Sequence, residues 1–230
     1  MRFIINFYNS SIGKKWIVAL TGLVLIAYVI GHLIGNLQIY ISPEQINWYA
    51  EKLHSMGPLL WVIRAFLLAC FALHIVTTIK LAIENRKARP DRYAVKKNVR
   101  TTAAARTMVV SGLILLCFVI FHLLQFTIRP ESLGIKSYML PTGHPDVYTM
   151  IIKGFLNPFA SGFYILGMFL LCSHLSHGFS SFFQTLGLNS QKIAHGLEIG
   201  GTALAWLIFA GYTSIPVSVM LGVLKLKTGL

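Results

Sequence analysis

Apolar residues fill five long stretches of this chain, and polar segments separate them. Each stretch is long enough to cross the hydrocarbon core of a bilayer, which takes about 20 residues of helix. The predicted spans lie at residues 16–40, 58–81, 107–128, 159–186 and 195–221. The pattern therefore predicts an all-α integral membrane protein, in which a five-transmembrane-helix bundle forms a single membrane domain over residues 1–230.

The polar segments between the spans differ in length and character. The first, over residues 42–58, predicts a loop. The third, over residues 129–158, carries Pro and Gly and predicts a loop that holds a short surface helix. The last connection, over residues 187–192, is tight. The second, over residues 84–106, is the most polar stretch and predicts a basic loop.

The composition excludes a water-soluble globule. The chain is 55% hydrophobic and 12% charged, whereas soluble domains carry about 25% charged residues. The cysteines lie inside apolar runs without a CxxC or CxxCH motif, which argues against disulfides, zinc sites and covalent c-type haem. No small-residue cleavage pattern follows the first apolar run, so we expect an uncleaved first span rather than a signal peptide.

Basic residues outnumber acidic residues by 20 to 7, and most of them fall on one side of the predicted topology. That side carries Arg2, Lys14, Lys15, Lys80, Arg86, Lys87, Arg89, Arg92, Lys96, Lys97, Arg100, Arg106 and Lys192. Cytoplasmic loops carry such an excess, so we expect a cytoplasmic N-terminus and an external C-terminus. The basic loop is either a pure topology signal or, because its charge exceeds what orientation requires, a docking site for a soluble partner. No nucleic-acid-binding motif accompanies the charge, so nucleic acid is not expected.

Four of the predicted spans carry histidines, and these match in depth. His32 and His122 lie 17 and 16 residues past the last basic residue before their spans. At about 1.5 Å per residue, both fall in the outer half of the membrane. His74 and His174 each lie 16 residues past the proline that begins their span, on helices that run the opposite way. Both therefore fall in the cytoplasmic half.

Two paired levels of histidine predict two haems stacked across the membrane. Ionisable residues inside a bilayer are costly and count as functional hypotheses. Each iron takes an imidazole on both faces, which leaves no open site for oxygen and suits electron transfer. A single membrane histidine is more often an interhelical hydrogen bonder, but four at two depths favour haem. Zinc or copper would need ligands that converge at one place.

Residues beside these histidines have two interpretations each. His177 lies three residues after His174, on nearly the same helix face, so spacing leaves the choice between them open while depth favours His174. His177 is then a contact to the haem propionate or edge. Gly31 and Gly35 flank His32 in a GxxxG pattern, which either packs helices closely or makes room for a flat macrocycle.

Other candidates lie nearer the membrane surfaces. Glu198 is either an interfacial group or a proton-handling carboxylate inside the last span. Glu44 and Glu51 lie in the predicted outer loop, where a quinone would need a proton acceptor, and Glu51 and His54 are candidates for such a quinone site. We expect exposed or interfacial positions for His54, His144 and His195. The aromatic residues at span ends predict interface belts, and these are Trp16, Trp48, Tyr49, Trp61, Tyr164 and Tyr212.

Several short motifs stand in a characteristic order along nearly the whole chain. These are Gly31-His32-Leu33, Leu73-His74, Phe121-His122, the stretch from Gly162 to Gly167, and His174-Leu175-Ser176-His177-Gly178. In this order of spans and histidines the chain resembles the di-haem cytochrome b subunit of succinate dehydrogenase and fumarate reductase. The fourth span is most similar to the b558-type members.

The resemblance implies that His32 and His122 ligate a distal haem b and that His74 and His174 ligate a proximal haem b. It implies two partners, a flavoprotein with covalent FAD that interconverts succinate and fumarate, and an iron–sulfur subunit. The dicarboxylate chemistry then lies on a partner. Electrons would reach a quinone, commonly menaquinone, in the bacterial cytoplasmic (inner) membrane, and the basic loop would face the iron–sulfur subunit.

Other membrane proteins compete with this interpretation. A cytochrome b subunit of a hydrogenase or formate dehydrogenase keeps the haems, but the fifth span speaks against it. The cytochrome b of the respiratory bc complex places two ligands on one helix about two heptads apart, which no span here does. A haem-free transporter would be expected to show broken helices or inverted repeats, and the sequence shows neither.

Overall fold

The computed structural model describes residues 2–88, 103–188 and 190–226. Within these ranges the chain forms eight α-helices: Arg2–Asn9 (α1), Ser11–Leu37 (α2), Pro43–Ser55 (α3), Pro58–Lys87 (α4), Ala103–Leu123 (α5), Val147–Phe155 (α6), Pro158–Thr185 (α7) and Gln191–Met220 (α8). Five helical segments are long and apolar enough to cross a membrane: Ser11–Tyr40, Pro58–Lys87, Ala104–Ile128, Pro158–Thr185 and Lys192–Met220. The prediction of an all-helical protein with five helices long and apolar enough to span a membrane is confirmed.

The spans extend beyond the apolar stretches because helix caps rather than apolar residues determine where they begin. The side chain of Ser10 accepts a hydrogen bond from the backbone N–H of Gly13, so α2 begins at Ser11 instead of residue 16. Pro58 and Pro158 occupy the first turns of α4 and α7, where the missing N–H breaks no helical hydrogen bond.

The second connection is shorter than predicted, since α4 continues through Lys87 and α5 begins at Ala103. The rest of the predicted basic loop, residues 89–102, lies outside the described residues. At this end of the bundle Lys14 Nζ lies 2.6 Å from Glu84 Oε2, which joins the start of α2 to the end of α4. We call this the Lys14 end.

The opposite end of the bundle, which we call the α3–α6 end, carries two helices in its connections. The connection over residues 42–58 contains a helix, α3, which the sequence pattern did not predict. Ser42 accepts a hydrogen bond from the backbone N–H of Gln45 at 3.0 Å, and this spacing is that of a capping box. The short helix predicted in the third connection is present as α6. One face of it is buried, with Ile151 and Ile152 5% and 1% exposed, while Lys153 on the same helix is exposed.

Buried apolar side chains form two clusters. The cluster at the α3–α6 end includes Ile39, Ile46, Tyr148, Ile152, Phe155, Tyr164 and Ile215. The cluster between α2, α7 and α8 includes Leu33, Cys172, Leu175, Ala205 and Ile208. Helix α4 packs mainly against α2, and Thr77 is its buried residue. The bundle is therefore tightest around α7 and α8 and most open along α4.

Candidate functional site

His32 and His122 face each other across the bundle. Their ring centroids lie 5.8 Å apart and their planes meet at 83°. Two imidazoles that bind one metal ion from opposite sides, each through a bond of about 2 Å, have centroids roughly 6 Å apart. The spacing of this pair therefore fits a single metal ion held between the two rings.

His74 and His174 form a second pair, nearer the Lys14 end. The two imidazoles lie close enough for a charge on one to interact with a charge on the other. A Cβ atom built on Gly22 of α2 would lie only 3.2 Å from Cε1 of His74, so this glycine lets the ring lie against the α2 backbone. Gly112 of α5 faces Cε1 of His174, where a Cβ atom would lie at 3.5 Å, an ordinary van der Waals contact.

Helix α2 determines which nitrogen of His74 carries the proton. Nδ1 of His74 lies 3.2 Å from the carbonyl oxygen of Val18 and 3.1 Å from Oγ1 of Thr21. A carbonyl oxygen only accepts hydrogen bonds, so Nδ1–H is the donor and the lone pair lies on Nε2. The ring is thus held in the tautomer that binds a metal ion through Nε2.

Hydroxyl groups hold the rings of His174 and His122. Oγ of Ser111 lies 3.2 Å from Nδ1 of His174 and donates its own proton to the carbonyl of Met108 at 3.1 Å, so it accepts from the imidazole. The hydroxyl of Tyr164 lies 3.1 Å from Nδ1 of His122. Histidines that bind metals usually have their second nitrogen held in this way, and here each holder comes from a different helix than the histidine.

The helices that supply each pair leave room between their backbones. Among the described helices, α2 packs on α4 and α5 packs on α7, whereas α2 with α5 and α4 with α7 make little or no close backbone contact. These two separated combinations are the ones that supply His32 with His122 and His74 with His174. No three His, Cys, Asp or Glu side chains come together in the described part of the chain, so the donor set consists of two pairs. Such pairs fit the flat, doubly ligated iron of haem b.

His177 occupies a different environment from His174. It is half-buried and lies within electrostatic range of Glu198 on α8, which is exposed. His174 instead contacts Ser111 on α5. This arrangement makes His174 the better placed partner for His74.

The two predicted glycines beside His32 differ in what faces them. A Cβ atom on Gly35 would lie 2.6 Å from the ring of Tyr49, so this glycine allows α3 to pack closely on α2. A Cβ atom on Gly31 would have no atom within 4 Å among the described residues. Gly31 is exposed and has no packed neighbour of this kind, and the role of either glycine in cofactor binding stays a prediction.

The predicted quinone candidates lie on α3, at the α3–α6 end. Oε1 of Glu51 is 3.6 Å from Nε2 of His144, and both side chains are about half exposed. Nδ1 of His54 donates to the carbonyl of Ala50, one turn earlier in the same helix, at 2.7 Å. These exposed side chains are available at the surface, and their role stays a prediction.

Two of the aromatic residues predicted to form an interface belt are instead part of the histidine environment. Tyr164 is 7% exposed and bonds to His122. Tyr212 donates to the carbonyl of Val29 at 2.7 Å, and its ring centroid lies 6.2 Å from that of His32. The belt interpretation is wrong for these two residues because both side chains point into the bundle. The ring-holding residues Thr21 and Ser111 carry no local sequence signal that marks this role.

Comparison of the chain with models of protein families, with curated proteins and with solved structures gives no match.

Proposed function

We propose that this chain is the membrane-anchor cytochrome b subunit of a succinate:quinone oxidoreductase (succinate dehydrogenase/fumarate reductase, respiratory complex II). In this role it carries electrons between an iron–sulfur subunit and a membrane quinone, for which we propose menaquinone. The observation that supports the proposal best is the geometry of the histidines: two pairs at two depths, each pair supplied by helices whose backbones stand apart.

The side chains have defined tasks in this proposal. His32 and His122 hold the distal haem, and His74 and His174 hold the proximal haem, each through Nε2. Thr21, Ser111 and Tyr164 fix the orientation of three of the rings through Nδ1, as the short distances to these atoms support. Haem b held by two imidazoles supplies one-electron transfer with both axial positions filled.

The Lys14 end supports a docking face for the iron–sulfur subunit, which in turn would bind the FAD-containing flavoprotein. The helix ends there carry Lys15, Arg86 and Lys87 in addition to the Lys14–Glu84 pair. The positive-inside rule supports a cytoplasmic position for this end, and we propose the cytoplasmic membrane of a bacterium with the C-terminus of the chain outside. Succinate and fumarate would interconvert on the flavoprotein, so this chain is an enzyme subunit without dicarboxylate chemistry of its own.

Haem content tests the proposal. The protein is purified from membranes, and a dithionite-reduced minus oxidised spectrum is taken with pyridine haemochrome quantitation. We expect two b-type haems per chain, together with co-purification of a flavoprotein and an iron–sulfur protein. A folded preparation without haem would overturn the proposal and favour a haem-free transporter. Two haems with a hydrogenase or formate dehydrogenase as partner would keep the cytochrome and reject complex II.

Single substitutions test the ligand pairs. We expect His32→Ala and His122→Ala each to lose the distal haem, and His74→Ala and His174→Ala each to lose the proximal haem. His177→Ala is the matched control for His174→Ala, because it removes an imidazole three residues away on the same helix. Loss of haem in His177→Ala with retention in His174→Ala would transfer the fourth ligand to His177.

A further inference from the structure

Tyr164 holds the His122 ring through a contact that differs chemically from those at the other pair. Its hydroxyl lies 3.1 Å from Nδ1 of His122. At the His74–His174 pair, a backbone carbonyl and the hydroxyl of Thr21 face one ring, and the hydroxyl of Ser111 faces the other. His32, the fourth ring, stacks on Tyr28 at a centroid distance of 5.5 Å.

The surroundings of Tyr164 leave its hydroxyl little freedom. The side chain is 7% exposed. Four rings enclose it with centroids between 4.9 and 6.0 Å away, and these belong to Phe118, Phe121, Phe126 and Phe155. Such apolar rings offer no competing acceptor or donor of comparable strength, so within the described part of the chain the hydroxyl's hydrogen-bonding partner is the imidazole of His122.

From this geometry we propose that Tyr164 is a positioning residue that lowers the reduction potential of the distal site by accepting a hydrogen bond from Nδ1–H of His122. The proposal rests on the proposed function, since it requires Nε2 of His122 to bind iron. With Nε2 bound, the imidazole proton is on Nδ1, and the phenol oxygen is the acceptor. A hydrogen-bond acceptor at Nδ1 makes the imidazole a stronger electron donor, which favours the oxidised form of the metal that it binds.

The enclosing rings also make the orientation of His122 depend on Tyr164. The ring of Phe118 stacks on that of His122 with centroids 6.2 Å apart and meets the ring of Tyr164 edge-on at 5.0 Å. Replacement by phenylalanine keeps this packing and removes only the hydroxyl. A substitution that keeps the shape therefore separates the hydrogen bond from the packing.

Redox titration of Tyr164→Phe in the purified complex tests the inference, with haem content and the low-spin EPR spectrum measured on the same samples. We expect both haems to be present and the distal potential alone to rise. A net hydrogen bond corresponds to a threefold to tenfold change in the reduction equilibrium, or about 30–60 mV for one electron. The distal component is assigned by its loss in His32→Ala.

Ser111→Ala is the matched control, because it removes the hydroxyl that faces His174 and should raise the proximal potential alone. Two haems with an unchanged distal potential and unchanged EPR g-values in Tyr164→Phe would overturn the inference while the proposed function stands. Equal shifts of both haems would also overturn it, since they indicate a general change of the bundle. Absence of haem from the unsubstituted protein would instead overturn the proposed function.

A second protein covers the case in which Tyr164→Phe loses the distal haem. Site-specific replacement of Tyr164 by 3,5-difluorotyrosine keeps the hydroxyl and nearly the same shape but weakens the oxygen as an acceptor. We expect a distal potential that lies above that of the unsubstituted protein. A distal potential that does not change in the fluorinated protein would overturn the inference.

Discussion

The substitution Gly167→Ala should destabilise the packing of α5 against α7 near the His32–His122 pair. A Cβ atom on Gly167 would lie 2.5 Å from Cδ2 and 2.9 Å from Cε2 of Phe118. The Phe118 ring cannot move aside easily, because it is 7% exposed and lies 5.0 Å from the ring of Tyr164 and 5.9 Å from that of Phe163. The substitution therefore forces the helices apart or twists a packed ring.

Two opposing contributions determine the size of the effect. Inserting a methyl group into a well-packed interior typically costs about 1–3 kcal/mol. Alanine is also favoured over glycine inside a helix, by about 0.5–1 kcal/mol. Gly162→Ala on the same helix isolates the second contribution, because a Cβ atom there would have no described atom within 4 Å. The difference between the two alanine proteins should thus be about 1–3 kcal/mol, with Gly167→Ala the less stable.

Thermal unfolding in detergent, followed with a thiol-reactive fluorophore, measures this difference. Cys172 is 4% exposed on the same helix, so in a Cys70→Ala background, which removes the partly buried thiol of α4, its reaction reports the opening of α7. The exposed Cys117 contributes a constant baseline. At about 2–4 °C per kcal/mol for a chain of this size, Gly167→Ala should melt roughly 2–12 °C below Gly162→Ala. An equal or higher melting temperature for Gly167→Ala would refute the argument that Phe118 is held rigidly.

Three further predictions concern the two ends of the bundle. The Lys14 side chain is 3% exposed, whereas that of Glu84 is 39% exposed. Glu84→Gln should therefore destabilise the protein more than Lys14→Met does, by about 1–3 kcal/mol in thermal unfolding, because it leaves a buried ammonium without its charged partner. An equal effect of the two substitutions would contradict this asymmetry. Asn47→Ala should lower stability by a similar amount, about 1–3 kcal/mol, since Asn47 donates to Asp146 at 3.0 Å and accepts from the backbone of Tyr148 at 2.9 Å. Gln45→Ala, which removes a side-chain hydrogen bond to Gln38, is the control. If α6 is cleaved by protease no faster in Asn47→Ala than in this control, Asn47 does not stabilise the contact between α3 and α6. A membrane-impermeant maleimide should label Thr142→Cys in intact cells and Lys192→Cys after lysis; the reverse pattern would invert the proposed orientation.

The positions of the spans and the depths of the histidines follow from sequence alone because both depend on distances along a helix. A bilayer of constant thickness needs a minimum apolar length, and a helix rises about 1.5 Å per residue. Counting from the ends of the spans therefore predicts that His32 lies level with His122. The 5.8 Å distance between their ring centroids agrees with this prediction. Residues that cap a helix also determine where it begins, as Ser42 does at the start of α3, where its side chain accepts a hydrogen bond from Gln45.

The partner of each ring nitrogen depends on tertiary structure. Thr21 meets His74 from 53 residues away, Ser111 meets His174 from 63 residues away, and Tyr164 meets His122 from 42 residues away. Such contacts require the rotation of each helix about its axis, and an apolar span without a polar face carries no periodic signal for that rotation. Tyr164 illustrates the consequence, since its position near a span end predicts an interfacial side chain while packing buries it.

Length and spacing along the chain thus determined which segments are long and apolar enough to cross a membrane and which histidines lie level with each other. Only the packing of the helices decided which face each span turns inward, which face of α6 is buried, and which side chains hold the imidazoles. The physical reason is that depth accumulates residue by residue along one helix, whereas orientation is set by the mutual fit of several helices distant in sequence.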